Sequence, residues 1–218
     1  DFNYQVKIIR LSEEQPDETL RHLEDGSIDG AVLLSPRCDS ALVAKAGSLN
    51  LPLILAGYLS PDAGLPCVGL DDVKATRDAT AYLIARGHRD IALLGGDPER
   101  PVAALREKGY REALQNAHLT FNPEWSVVME DVEKTPLVVE SIMSTHPRPT
   151  AFICYNDWQA RDVIAKLQSL GLRVPADVSV IGFNDDYSEF MQPPITTVSH
   201  PIVEIGSRSA QLLAQRIE

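Results

Sequence analysis

The stretch VSVIGFNDDYSEFMQPPITTVSHP, residues 178–201, indicates the fold of this chain. A largely apolar run leads directly into Asn184, Asp185 and Asp186, and a Pro-Pro turn then introduces a second short β-branched run. A strand that is apolar on both faces is typical of a parallel sheet covered by helices. In such sheets ligands bind beyond the carboxyl ends of the strands, so the polar cluster falls where a ligand site is expected.

The same alternation of short apolar runs and longer amphipathic segments extends along the chain. The runs predicted as strands are residues 4–9, 30–34, 52–57, 66–70, 90–96, 126–129, 150–155, 178–183 and 196–199. Between them, apolar residues recur at helical spacing, as Ala160, Val163, Ile164 and Leu167 do in the segment 156–171. This βα pattern predicts a doubly wound α/β fold rather than a barrel.

No Gly/Ser-rich linker divides the chain. If it forms two lobes, it must pass between them through short strand-like segments, and PCVGLDD (residues 66–72) and PPITTVSHP (residues 193–201) are the two best candidates.

Composition and charge exclude several classes of protein. The 218 residues carry a net charge of −11 with a pI near 4.9, so the chain alone should repel nucleic-acid phosphates. No apolar run approaches the roughly 20 residues of a membrane span, and the start of the sequence has no signal-peptide pattern. Cys38, Cys67 and Cys154 are far apart, and we interpret them as buried free thiols in a reducing cytosol.

Motifs for catalysis, cofactors and metals are absent from the sequence. There is no nucleophile elbow, phosphate loop or dinucleotide-binding glycine motif, and the five histidines are scattered without ligand spacing. Asp185 and Asp186 could hold calcium or act as an acid/base pair, but adjacent residues point in different directions, and a solvated loop is the simpler interpretation of Asp186. We therefore expect neither an enzyme, nor a cofactor, nor a metal site.

A binding site finds more support, because polar groups follow many of the apolar runs. Asn156 and Asp157 open a helix, where they could act as caps alone or cap and also contact a ligand. Arg106 could be a solvated arginine or could fork onto two vicinal hydroxyls or a carboxylate. The residues that follow the runs are Ser35, Gly57, Tyr58, Asp71, Asp72, residues 97–100, Asn156, Asp157, residues 184–186, Ser199 and His200.

Five segments, in their order and spacing, identify a resemblance. GHRDIALLGG, LREKGYREAL, RPTAFICYND, GLRVPADVSVIGFND and PPITTVSHP closely resemble the effector-binding core of the lactose-repressor/galactose-repressor (LacI/GalR) family of bacterial transcription regulators. The resemblance implies a periplasmic-binding-protein-like fold of type I. Its two lobes would be residues 1–70 with 201–218 and residues 72–199, with a small molecule held in the cleft between them.

The resemblance also implies site residues. Family members surround the effector with residues at the positions of Arg106, Asn156 and Asp157. Asn184 stands where Asp is common, Gly57 stands where Asp is frequent, and Val132 stands where an aromatic residue is frequent. The amide at Asn184 argues against a cationic or purely hydroxyl-donor effector, and the differences at Gly57 and Val132 argue against a standard monosaccharide. The full set of expected effector contacts is Arg106, Asn156, Asp157, Asn184, Tyr58, Phe183, His200, Arg100 and Val132.

The implied function is effector sensing and dimerisation in a cytoplasmic LacI-type repressor. A small polar metabolite, a sugar or sugar derivative, would control operator binding by a headpiece that this sequence does not contain. The sequence begins at what resembles the second strand of the first lobe, so the family's first strand and helix are expected to be missing. A periplasmic sugar-binding protein of a transport system is the alternative, and an enzyme using Asp185 and Asp186 is a third.

Overall fold

The computed structural model describes residues 4–9, 21–34, 43, 45, 47–59 and 64–218. The strands are β1 (Ala31–Leu34), β2 (Leu53–Tyr58), β3 (Cys67–Leu70), β4 (Ile91–Leu94), β5 (Ser126–Val127), β6 (Ala151–Cys154), β7 (Ser179–Asn184) and β8 (Thr196–Ser199). The helices are α1 (Asp72–Ala85), α2 (Pro101–Asn116), α3 (Thr135–Met143), α4 (Asp157–Ser169) and α5 (Ile202–Ile217). Residues 21–24 are also helical.

These residues divide into two compact units. Residues 72–200 form one unit from a single stretch of chain, here called the continuous unit, and residues 1–71 with 201–218 form the discontinuous unit. The segments expected to pass between lobes contain β3 and β8, which lie beside the two boundaries.

The continuous unit is built on a parallel sheet with the strand order β5-β4-β6-β7-β8. Every residue of β4 and β6 is buried, as expected when helices cover both faces of a parallel sheet. Helix α1 packs on α2, and α3 packs on α4. The core beneath α3 and α4 includes Phe152, Val139 and Val163. The predicted α/β fold is confirmed.

The order of the strands reverses at one point in this sheet. The connection from β4 leads to β5 on one side, and the next leads to β6 on the other side of β4. In open α/β sheets the crevice at such a reversal, beyond the carboxyl ends of the strands, is the usual place for a ligand.

The discontinuous unit has a parallel sheet in the order β1-β2-β3, with α5 packed against it. Helix α5 approaches the sheet closely, because a Cβ atom added at Gly30 would lie 2.8 Å from Cδ1 of Leu213. None of the helices among the described residues has the length and apolarity that crossing a membrane requires.

Two predicted strands differ in the structure. Residues 4–9 form no strand, so this prediction was wrong. A strand needs a neighbour for its ladder, and here Val6 and Ile8 are 88% and 93% exposed with no pairing strand among the described residues. The run at 126–129 forms a strand only at Ser126–Val127. Ser35 and Cys38 lie outside the described residues.

Candidate functional site

Arg106 lies at the carboxyl ends of β6 and β7 in the continuous unit. It projects from α2 and is 6% exposed, so it is not a solvated arginine. Its Nε donates to Oδ1 of Asp72 at 2.8 Å, and its Nη1 donates to the carbonyl of Tyr155, which directly follows β6. Its Cζ lies 3.7 Å from the ring centroid of Phe183. These contacts fix the plane of the guanidinium.

The Nη2 group of this guanidinium has no hydrogen-bond partner among the described residues. Guanidinium carries five N–H donors, and within the described part of the chain neither donor of Nη2 is taken by a protein acceptor. A rigid, cationic fork of this kind suits two adjacent oxygen acceptors on a ligand.

Asn156 and Asp157 differ in the structure: Asn156 caps a helix and has side-chain donors to spare, whereas Asp157 bonds only within the protein. Asn156 is the N-cap of α4, with φ −153° and ψ 175°, and its Oδ1 accepts from the backbone N–H of Gln159 at 2.7 Å. Its side-chain amide donors bond to no residue that the structure describes, so they are available to a ligand.

Asp157 is buried, and both oxygens of its carboxylate accept hydrogen bonds from other residues of the protein. One oxygen accepts from the backbone N–H of Asp186 at 2.8 Å, and the other accepts from Oγ1 of Thr197 at 2.7 Å. Asp157 is fully inaccessible to solvent.

Asn184 ends β7 with a backbone φ of +93°, and Asp185 follows with φ +65°. Asn and Asp tolerate this left-handed region better than most other residues. The side chain of Asn184 is half-buried, and its amide donates weakly to Asp186 at 3.4 Å. The backbone carbonyl of Asn184 accepts from the backbone N–H of His200 at 3.1 Å. Asp186 is exposed, as the sequence suggested.

The remaining residues that the sequence predicted as effector contacts are partly buried, partly exposed, and lie in both units. Phe183 is fully buried beneath Arg106. Arg100 precedes α2 and pairs with Asp97 at 3.6 Å. Val132 opens a 3₁₀ turn and is 40% exposed. Tyr58 is buried at the end of β2, in the discontinuous unit.

His200 also has an unusual polar atom. Its Nε2 is buried and has no hydrogen-bond partner within the described ranges. A buried imidazole nitrogen without a partner is costly in free energy, and a bound ligand could supply the missing bond.

Sequence reasoning missed Tyr155 and Gln159. A Cβ atom at Gly96 would lie 2.6 Å from Cε2 of Tyr155, so the glycine makes room for this ring just beyond β4. Gln159 is 1% exposed, and its Oε1 accepts from the backbone N–H of Tyr155 at 2.7 Å. The Gly95-Gly96 pair after a strand was the available signal, since it marks a close approach to the backbone.

The chemistry of this region favours binding. Among residues 4–9, 21–34, 43, 45, 47–59 and 64–218, no group of His, Cys, Asp and Glu side chains could hold a metal ion. Burial raises the pKa of the Cys154 thiol well above its usual range, which keeps this sulfur protonated and a poor nucleophile. What the site offers is a cation with a fixed orientation, the side-chain amide of Asn156 and a buried aromatic ring.

Comparison with known proteins gives the family. Residues 80–218 match the model of the periplasmic binding protein-like domain. The HTH-type transcriptional repressor CytR of Escherichia coli K12 is 32% identical over 195 residues, which cover 88% of this chain. These residues span 57% of the length of CytR.

Solved structures agree with the sequence relatives. A regulatory protein of the LacI family from Chloroflexus aggregans superposes with a TM-score of 0.85 at 30% identity, over 94% of this chain and 75% of that one. The transcriptional regulator CelR, solved as a complex with cellobiose, gives 0.82 at 28% identity, over 94% and 64%. The chain therefore belongs to the periplasmic binding protein-like domain family, among the LacI/GalR transcriptional regulators.

Proposed function

We propose that this chain is the effector-sensing and dimerisation domain of a LacI-type transcriptional repressor, acting in the cytoplasm and not as an enzyme. A small polar metabolite, a sugar or sugar derivative, binds at the carboxyl edge of the continuous unit. The observation that carries this proposal is the buried guanidinium of Arg106. Protein contacts fix its plane, and its Nη2 group has no acceptor among the described residues.

The surroundings of Arg106 support a neutral or anionic effector. The carboxylate of Asp72 is paired with Arg106, and that of Asp157 accepts two protein hydrogen bonds. Asn184 adds an amide, which both donates and accepts hydrogen bonds, in place of a third carboxylate. That the related regulator CelR was solved with cellobiose supports the sugar class.

The effector acts by preferring one of two conformations of the repressor. This chain has a net charge of −11 and is poorly suited to contact DNA phosphates. We therefore assign operator binding to a separate DNA-binding domain of the whole protein.

Thermal unfolding of the chain against D-glucose, cellobiose, D-ribose, glucose 6-phosphate, gluconate and cytidine tests the binding site. A ligand at about 100 times its dissociation constant should add about 2.7 kcal/mol and raise the midpoint by a few degrees. A panel without any shift contradicts the proposal for this class of effector.

Two variants separate ligand contact from backbone structure. Asn156→Ser keeps a good helix cap and loses the amide, while Asn184→Gly keeps a residue that accepts positive φ and loses the side chain. We expect each to weaken binding of the selected panel compound about tenfold with little change in the free protein's midpoint. Unchanged affinity in both variants would refute the site.

The proposed dimer has a candidate surface on the continuous unit. Trp158, Tyr187 and Phe190 are 48%, 47% and 76% exposed, and the first two rings lie 4.8 Å apart. Arg161 and Asp162 lie on the same helix as Trp158, with the side chain of Arg161 exposed and that of Asp162 half-buried. A patch with both charges can pair with a copy of itself across a two-fold axis.

Light scattering after gel filtration tests this surface. Phe190→Asp should shift the protein from dimer to monomer, because it puts a charge into the buried apolar part of the contact. Leu137→Asp is the matched control, since Leu137 is 68% exposed on α3 and outside the aromatic cluster. A dimer that persists in Phe190→Asp contradicts the assignment.

A further inference from the structure

Asp157 connects three elements of the continuous unit. It is the first residue of α4, and its two carboxylate oxygens accept from the Asp186 backbone N–H after β7 and from Thr197 Oγ1 in β8. The backbone N–H of Tyr187 also points at the first of these oxygens, at 3.5 Å. With no solvent exposure, this carboxylate has no free surface for a ligand.

The sheet leaves room for this carboxylate. Gly182 lies in the middle of β7, and a Cβ atom there would overlap Oδ1 of Asp157. It would also lie 2.8 Å from Cδ1 of Ile195. The absence of a side chain at position 182 therefore lets Asp157 pack directly on the strand.

The turn that Asp157 contacts contains backbone conformations that are unfavourable for residues other than glycine. Asn184 and Asp185 are consecutive non-glycine residues with φ +93° and +65°. Such conformations persist when the surrounding structure fixes them. The Asp186 N–H that bonds to Asp157 follows these two residues immediately, so this bond fixes the end of the turn.

We propose that Asp157 is a positioning residue: it fixes the turn at 184–187, in which Asn184 and Asp185 have positive φ, aims the side chain of Asn184, and does not contact the effector. That Asn184 contacts an effector rests on the proposed function. The geometry of the turn does not, and it can be measured without any ligand.

Amide hydrogen exchange of the ligand-free chain, followed residue by residue by NMR, tests the proposal. Asp157→Ala should speed exchange at the Asp186 amide by about tenfold, because this amide loses a charge-assisted hydrogen bond. Asp157→Asn should restore protection to within about threefold of the original chain, since its Oδ1 can accept from Asp186 and its amide can donate to the Thr197 hydroxyl.

The amide of Gln159 is the internal control. It is capped by Asn156 rather than by Asp157, so it reports whether α4 still begins correctly. We expect its exchange rate to change less than threefold in all variants. If it rises as much as that of Asp186, Asp157 merely starts the helix and the proposal is wrong.

Gly182→Ala provides a second route if Asp157→Ala folds poorly. It keeps the carboxylate but displaces it, and should also expose the Asp186 amide. Unchanged Asp186 exchange in Asp157→Ala and Gly182→Ala, or failure of Asp157→Asn to restore protection, would overturn the positioning role. A ligand panel without hits would leave these results intact and count only against the proposed function.

Discussion

Arg106 and Asp72 form an ion pair in the interior of the continuous unit, with Nε 2.8 Å from Oδ1 and side chains that are 7% and 2% exposed. Removing one member of a buried ion pair is strongly destabilising and costs about 3–5 kcal/mol. We therefore expect Arg106→Ala to lower the free energy of unfolding by this amount, measured by urea denaturation.

Lys74→Ala is the matched control for that prediction. Lys74 pairs with Asp78 on the exposed face of α1, where both side chains are more than half exposed. Losing such a pair costs about 0.5 kcal/mol or less. If Arg106→Ala costs no more than Lys74→Ala, the guanidinium is not buried in solution.

His88 joins the starts of three strands and should make stability depend on pH. Its Nδ1 lies 2.9 Å from Oγ1 of Thr150 and its Nε2 lies 3.0 Å from Oγ of Ser179. Burial lowers the pKa of His88 below its usual range, so the folded chain favours the neutral ring.

The sign of the pH effect follows from this shift. Between the lowered pKa and the ordinary value of about 6.5, the unfolded chain binds a proton that the folded chain does not. The contribution of His88 to stability is therefore fully present above pH 6.5 and is lost as the pH drops through the folded pKa. The urea midpoint of unfolding should fall less between pH 8 and pH 5 in His88→Gln than in the original chain. The same fall in both proteins would contradict this role of His88.

Two helical glycines should respond oppositely to alanine. In α2, a Cβ atom at Gly109 would overlap the carbonyl oxygen of Val73 in α1, so Gly109→Ala must push the helices apart and should cost about 1–3 kcal/mol. In α5, Gly206 is exposed with nothing within 4 Å of such an atom.

Gly206→Ala should therefore raise stability by about 0.5–1 kcal/mol through helix propensity. Thermal denaturation of both variants checks the pair. A stabilising Gly109→Ala would show that α1 and α2 are less closely packed than described.

Cys67 and Cys154 should react with iodoacetamide at different rates. Cys154 is fully buried with a raised pKa, whereas Cys67 is half-buried at the start of β3. Mass spectrometry of the folded chain should find Cys67 modified first and Cys154 modified only after unfolding. Equal rates would mean that the sheet around β6 opens readily.

The sequence predicted the α/β class and the family correctly, because both depend on local patterns. Strands buried on both faces give uninterrupted apolar runs, as β4 and β6 do. The strand expected at 4–9 was wrong, since pairing depends on a neighbour that composition does not reveal.

Sequence reasoning proposed members of the candidate site, but it missed Tyr155 and Gln159 and did not give the contacts that hold the site together. Arg106 and Asp72 are 34 residues apart, and Asp157 and Thr197 are 40 apart, so no local pattern announces either contact. Asn156 was expected to cap a helix, and it does. Contact of these residues with an effector stays a prediction.

The division of the chain also sets an order for its folding during synthesis. Residues 72–200 are contiguous, so all of the continuous unit is synthesised before residues 202–217 are added. The apolar surface of the sheet β1-β2-β3 that α5 covers stays exposed on the nascent polypeptide until α5 has been made. During this interval the nascent chain exposes apolar surface of β1-β2-β3 to which a chaperone could bind.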